Sequence, residues 1–169
     1  SLTKEEWICL IENRTPELAE YIFSQACKVR QDHYGKDVYI RGLIEFTNYC
    51  KNDCYYCGIR KSNPNASRYR LTEEDILECC KHGYELGFRT FVLQGGEDGY
   101  FKDERMVKIV SGIKAQHPDC AVTLSIGEKS KESYQKFFDA GADRYLLRHE
   151  TYDCGHYEKL HPAILTARE

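Results

Sequence analysis

Cys50, Cys54 and Cys57 are spaced CxxxCxxC on one short segment. Three thiolates this close can each hold one iron of a 4Fe-4S cube, leaving the fourth iron without a protein ligand. Structural zinc asks instead for four closed ligands, usually as two separate pairs. An open iron is a place to bind a substrate or cofactor. Two other readings stand beside it: a zinc site completed by a distant Cys or His, and an electron-transfer cluster completed by Cys79, Cys120 or Cys154. A second candidate is Gln94 to Glu97, where two glycines follow an apolar run. Gly95 and Gly96 make a tight turn, or they let the backbone approach a ligand too closely for any side chain.

The surrounding pattern shows what must position these residues. Thr3 and Glu6 have capping-box spacing before Trp7, Leu10 and Ile11. Thr15 precedes Pro16, and Leu18, Ile22, Ala26 and Val29 follow at helical spacing to about Gly35. From there, short apolar or β-branched runs alternate with helix-period stretches, the texture of βαβ units and a mostly parallel sheet. Strands are expected at Val38–Phe46, Thr90–Gln94, Ala121–Ile126 and Arg144–Arg148. The helices between them carry Ile76, Cys79, Cys80, Gly83 and Leu86; then Met106, Val107, Ile109, Val110 and Ile113; then Tyr134, Phe137 and Phe138. A last helix begins near Gly155. Cys79 and Cys80 read as small buried side chains of the first of these. The fold expected is α/β: parallel strand–helix repeats, about the N-terminal half of a (β/α)8 TIM-type barrel, after a helical preface over 1–36. An open doubly wound sheet is the alternative, distinguished by a reversal of strand order. In either, loops at the carboxyl ends of the strands hold the reactive site, and the cysteines directly follow the first strand.

Composition narrows the class. The 169 residues include 24 Lys plus Arg against 27 Asp plus Glu, a formal charge of -3, with 41% apolar residues and mean hydropathy -0.62. Such a chain can bury a core, lacks the basic excess of a general nucleic-acid binder, and has no apolar run near the ~20 residues that span a bilayer. Neither nucleic acid nor membrane is expected as a partner. With no secretion leader, the nine cysteines are expected to be reduced in the cytoplasm rather than paired. The start at Ser1 and the charged end at Arg168 and Glu169 suggest a fragment, expected to be weakly active or inactive alone.

CxxxCxxC with an aromatic residue, Tyr56, before the third cysteine resembles the signature of radical S-adenosylmethionine (SAM) enzymes, and Gly95-Gly96-Glu97 resembles their GGE motif. The stretches 41–48, 68–72, 92–98, 122–128 and 140–151 are similar to the HydE family of FeFe-hydrogenase maturases, relatives of biotin synthase and methylornithine synthase. The resemblance implies a radical SAM core over 37–169 and two cofactors, a 4Fe-4S cluster and S-adenosyl-L-methionine. It also implies a small-molecule or organometallic substrate, a reductant such as ferredoxin or flavodoxin, and other hydrogenase maturases as partners. Carried over by position, Cys50, Cys54 and Cys57 are the metal ligands. Tyr56, Gln94, Gly95, Gly96, Glu97, Ser125, Glu150 and Arg168 are cofactor-binding, and Thr123, Ser125 and Arg148 line the substrate. Read from the residues alone, Arg148 and Glu150 also suit an ordinary ion pair, Thr123 and Ser125 plain strand hydroxyls, and His149 a packed histidine. Arg60, Lys61, Arg68 and Arg70 read as a solvated basic loop.

Overall fold

A computed structural model describes residues 2–162 and divides the chain into two compact units, Ser1–Tyr39 and Ile40–Glu169. The first holds α1 (Lys4–Glu12) and α2 (Pro16–Tyr34). Thr3 and Glu6 form the reciprocal capping box, and the Thr15 hydroxyl accepts the Leu18 amide ahead of Pro16. Each such cap satisfies amides that have no partner inside a helix, worth about 1 kcal/mol.

In the second unit four strands alternate with helices: β1 (Gly42–Thr47), α3 (Glu73–Glu85), β2 (Thr90–Gly95), α4 (Asp103–Gln116), β3 (Ala121–Ser125), α5 (Lys131–Asp139), β4 (Arg144–Tyr145) and α6 (Cys154–Leu160). The strands are parallel and lie in chain order, β1-β2-β3-β4. This order has no reversal point, so it is the wall of a βα barrel rather than a doubly wound sheet. Thr72 and Ser130 cap α3 and α5. Between helices and sheet lies one core of Ile44, Phe46, Ile76, Phe91, Leu93, Met106, Ile109, Ile113, Val122, Leu124 and Phe137. Each large side chain withdrawn from water there contributes about 1.5–3 kcal/mol.

Four expectations are corrected. Val38–Arg41 are not strand but exposed chain, because among the described residues that stretch has no neighbouring strand to bond. β4 stops at Tyr145, adding one bond from the Leu146 amide to the Leu124 carbonyl. On α3, Ile76 and Cys80 are buried, while Cys79 and Leu86 are exposed. On α5, Phe137 is buried and Phe138 exposed, since adjacent helical residues point about 100° apart and only one meets the sheet.

The other face of the sheet carries Leu43, Glu45, Val92, Gln94, Thr123, Ser125 and Arg144, by strand alternation. Register aligns Glu45 with Gln94 and Ser125, and Val92 with Thr123 and Arg144.

Candidate functional site

All four strands point the same way, so the loops that leave β1, β2 and β3 meet at one end of the sheet. Their junction begins at a register shift between Glu45 and Thr47. The shift breaks the in–out alternation, so that Phe46 and Thr47 are both buried. The Thr47 hydroxyl donates to Asp98 Oδ2 at 2.8 Å and accepts the Tyr49 amide at 3.2 Å. One side chain thereby orients the start of the cysteine loop and the end of the glycine loop.

The two loops then touch directly. A Cβ on Gly96 would lie 2.8 Å from Cys50 Cβ and against the Tyr49 carbonyl, and one on Gly95 would lie 2.7 Å from Thr47 Cγ2. The Lys51 amide donates to the Glu97 carbonyl at 3.0 Å. Lys51 Nζ lies 2.8 Å from Glu97 Oε2, and Asn52 Nδ2 donates to Oε1 at 2.8 Å. Glu97 in turn packs on Gly127, which has φ 79°, so a side chain there would meet both strain and the Glu97 stem. In the structure the space beside Gly96 is taken by the cysteine loop, and that beside Gly95 by Thr47 and Phe46 at the end of β1.

Inside that loop the Cys57 amide donates to the Cys54 carbonyl at 3.0 Å, a tight turn that brings the backbone of the two residues together. All three thiols are half-buried. Burial pushes the Cys54 thiol up, and negative charge on Cys50 and Cys57 adds to the effect. Gathering three thiolates is thus opposed by desolvation and mutual repulsion, an opposition that cationic iron removes. Soft sulfur donors on one loop, with no other ligand type among them, fit an iron–sulfur cluster. Among the described residues no three His, Cys, Asp or Glu side chains converge as a single-ion site. A cube does not require that, because each thiolate takes a different iron. Cys120, suggested as a fourth ligand, is buried at the opposite, amino-terminal end of β3, and Cys79 lies on α3.

Tyr56 and the α6 segment close one side. The Tyr55 amide donates to the Leu160 carbonyl at 2.9 Å. His161 Nδ1 lies 2.8 Å from the Tyr157 carbonyl, which only a protonated nitrogen can bond. In the neutral imidazole Nε2 is then the acceptor of the bond that joins it to the Tyr56 hydroxyl, 3.2 Å away. Burial, followed by the charges of Cys54 and Glu150, raises the Tyr56 phenol, so it stays a neutral donor. Glu150 has φ 61°, a left-handed conformation that costs a non-glycine residue roughly 1–2 kcal/mol. It is exposed, as are Arg148 and His149; His149 stacks on Tyr152, and among the described residues no ion pair joins Arg148 to Glu150.

On the far face of the sheet, Gln94 Nε2 donates to Glu45 Oε1 at 3.3 Å, and Ser125 lies beside Gln94 in register. Thr123 is 4% exposed, and its hydroxyl has no partner. That is unusual for a buried polar atom. Arg168 lies outside the described residues.

Of the four basic residues read as solvated, Lys61 is exposed, whereas Arg68 and Arg70 are tied into the site. Arg70 makes a two-bond pair with Asp98, at 2.6 and 2.9 Å, and lies 3.9 Å over the Tyr49 ring. Arg68 is bonded to three backbone carbonyls. Lys51, Asn52, Asp98, Arg68, Arg70 and His161 are the site residues that sequence reasoning missed. The signal available was the opposite charge of Arg70 and Asp98.

These features agree with what the chain is similar to. It belongs to the radical SAM superfamily, whose domain matches residues 44–164. Enzymes of that family use an iron–sulfur cluster and SAM. The chain is 46% identical over 143 residues to the [FeFe] hydrogenase maturase subunit HydE of Thermotoga maritima, covering 85% of this chain and 40% of that protein. It is 34% identical over 161 residues to the 3-methylornithine synthase of Methanosarcina acetivorans, covering 94% and 45%. The crystal structure of methylornithine synthase superposes with a TM-score of 0.84 at 33% identity, covering 96% of this chain and 48% of that one. The hydrogenase maturase HydG superposes at 0.83 and 28% identity, over 95% and 37%. The chain thus spans less than half the length of these relatives. Among the described residues no helix is long and apolar enough to cross a membrane.

Proposed function

We propose that this chain supplies the cluster- and SAM-binding portion of a cytoplasmic radical SAM enzyme that acts in the maturation of FeFe-hydrogenase. The observation that carries the reading is the contact of Gly96 with Tyr49 and Cys50, which sets the glycine loop against the three-thiol loop. Cys50, Cys54 and Cys57 hold a 4Fe-4S cluster, and the backbone from Gln94 to Glu97 lines the methionine end of SAM. When bound, the cluster supplies the electron that splits the sulfonium carbon–sulfur bond to give a 5'-deoxyadenosyl radical. The residues of this chain position rather than react. Tyr56 offers a ring beside the adenine while its hydroxyl is tied to His161. Glu150 accepts from a ribose hydroxyl or an ammonium. Ser125, Thr123 and Arg148 face the substrate, a small or organometallic molecule; a carboxylate on it is what the Arg148 fork would clamp. A ferredoxin or flavodoxin supplies the electron, and other maturases are the expected partners. The 46% identity to HydE favours maturation over the reaction of methylornithine synthase.

The test is anaerobic iron–sulfide reconstitution of the intact protein that carries this chain, followed by electron paramagnetic resonance. Adding SAM should change the reduced-cluster spectrum, and dithionite with SAM should yield 5'-deoxyadenosine. A spectrum indifferent to SAM refutes the open-iron reading. Maturation of a hydrogenase in a defined system separates the maturase role from an amino-acid substrate.

A further inference from the structure

We propose that Arg68 is a positioning residue that ties the entry of the cysteine loop to its exit through one guanidinium group. Nη1 donates to the Asn48 carbonyl at 2.5 Å and to the Ile59 carbonyl at 2.8 Å, and Nη2 donates to the Arg60 carbonyl at 2.7 Å. Asn48 stands two residues before Cys50, and Ile59 two residues after Cys57. All three acceptors lie outside strand and helix, so the fork satisfies carbonyls that no ladder reaches. Arg68 is itself held from both sides: Asn48 Nδ2 donates to the Ser67 carbonyl at 2.6 Å, and Asn48 Oδ1 accepts the Tyr69 amide at 2.8 Å. Among the described residues no carboxylate pairs with Arg68, and its donors are directed at the loop backbone.

The geometry uses what distinguishes arginine from lysine. A planar guanidinium presents several donors at fixed angles, whereas an ammonium is a compact point charge on a flexible stem. One carbonyl before the thiols and two after them, held by a single guanidinium, fix the loop's span and hence where the sulfurs sit relative to Gly96. The fork therefore bears on how well SAM is oriented more than on whether iron is bound.

This inference rests on the proposed cluster- and SAM-binding role, and its test separates the two. Arg68→Lys keeps the charge and removes the fork; Arg68→Ala removes both and leaves room for free guanidinium ion. Lys61→Gln serves as a nearby charge control. Each variant of the intact protein is reconstituted, and iron content, thermal unfolding and the SAM-dependent change in the spectrum are measured. Arg68→Lys should load iron as the parent does but bind SAM at least ~10-fold more weakly, the order of loss expected when bonds from a charged donor that hold the site are broken. Millimolar guanidinium should restore part of the SAM response to Arg68→Ala and leave Lys61→Gln unchanged. SAM binding by Arg68→Lys equal to the parent overturns the inference. So does a drop in unfolding temperature with unaltered SAM affinity, or a folded Arg68→Ala that guanidinium does not restore. A parent protein whose cluster ignores SAM overturns the functional reading instead.

Discussion

Gly96→Ala is the sharpest single perturbation of the proposed site. The added methyl would sit 2.8 Å from Cys50 Cβ and press on the Tyr49 carbonyl, both rigidly built into the cysteine loop. Non-bonded carbons settle at about 3.5–4.0 Å, so one loop must retreat by roughly 1 Å. Neither moves freely. The cysteine loop is bonded to Glu97 through Lys51 and Asn52, and Asp98 is bonded to Thr47 and Arg70. Overpacking of this kind costs about 1–3 kcal/mol. A shift of that size at a reacting centre reduces turnover by up to ~10²-fold. The paired control is Gly99→Ala, three residues on, where a Cβ meets nothing within 4 Å. The assay is 5'-deoxyadenosine formation from SAM under dithionite, with iron content and thermal unfolding measured on the same samples. Gly96→Ala should lose most of its activity at near-normal iron, and Gly99→Ala should match the parent. Equal activity in both variants would refute the claim that the two loops meet through Gly96.

Replacing Cys50, Cys54 or Cys57 by Ala should each lower bound iron and abolish the SAM-sensitive signal, whereas Cys79→Ser should leave both intact; iron analysis and spectroscopy decide. Burial pushes the Asp98 carboxyl up, but the bonds from Arg70, the Tyr100 amide and Thr47 outweigh it and hold it below its ordinary value of 3.8. A group depressed in the folded state stabilises above its unfolded value, and that contribution is lost as pH falls through the folded one. The parent should therefore lose more stability than Asp98→Asn between about pH 5 and pH 2 in thermal melts. His161→Phe keeps a ring against Tyr157 but leaves the Tyr56 hydroxyl without its acceptor, costing about 1 kcal/mol, and should weaken SAM binding several-fold by titration. Ile109→Ala empties a fully buried position and should cost about 2–5 kcal/mol in denaturant unfolding, while surviving folded protein keeps its SAM response.

The parts of this fold that depend on local chemistry were legible in the chain. Thr3 and Thr15 cap the helices their spacing announced, because a cap is decided within three or four residues. The strands at Thr90 and Ala121 were legible because both are flanked on two sides and buried on two faces, which makes them near-continuous apolar runs. Val38–Ile40 has the same composition and is not strand. Composition states that a residue suits a pleated surface; only a neighbour makes it a strand. Phe138 and Cys79 show the same gap on helices, where an apolar residue one position off the buried stripe points into solvent.

The site divides along a similar line. The three thiols and two glycines declare themselves by type and spacing, but the partners that hold them are ordinary residues made special by distance in the chain: Thr47 to Asp98 spans 51 positions, Tyr56 to His161 spans 105. No periodicity connects such pairs. Arg68 and Arg70 illustrate the consequence, since a run of cations looks solvated until the acceptors are in place, and here the acceptors are main-chain carbonyls and one buried carboxylate. Spacing within a loop thus names the candidate groups. Their precision comes from long-range polar contacts, so substitutions at Arg68 or Asp98 should damage SAM orientation while leaving every motif in the sequence intact.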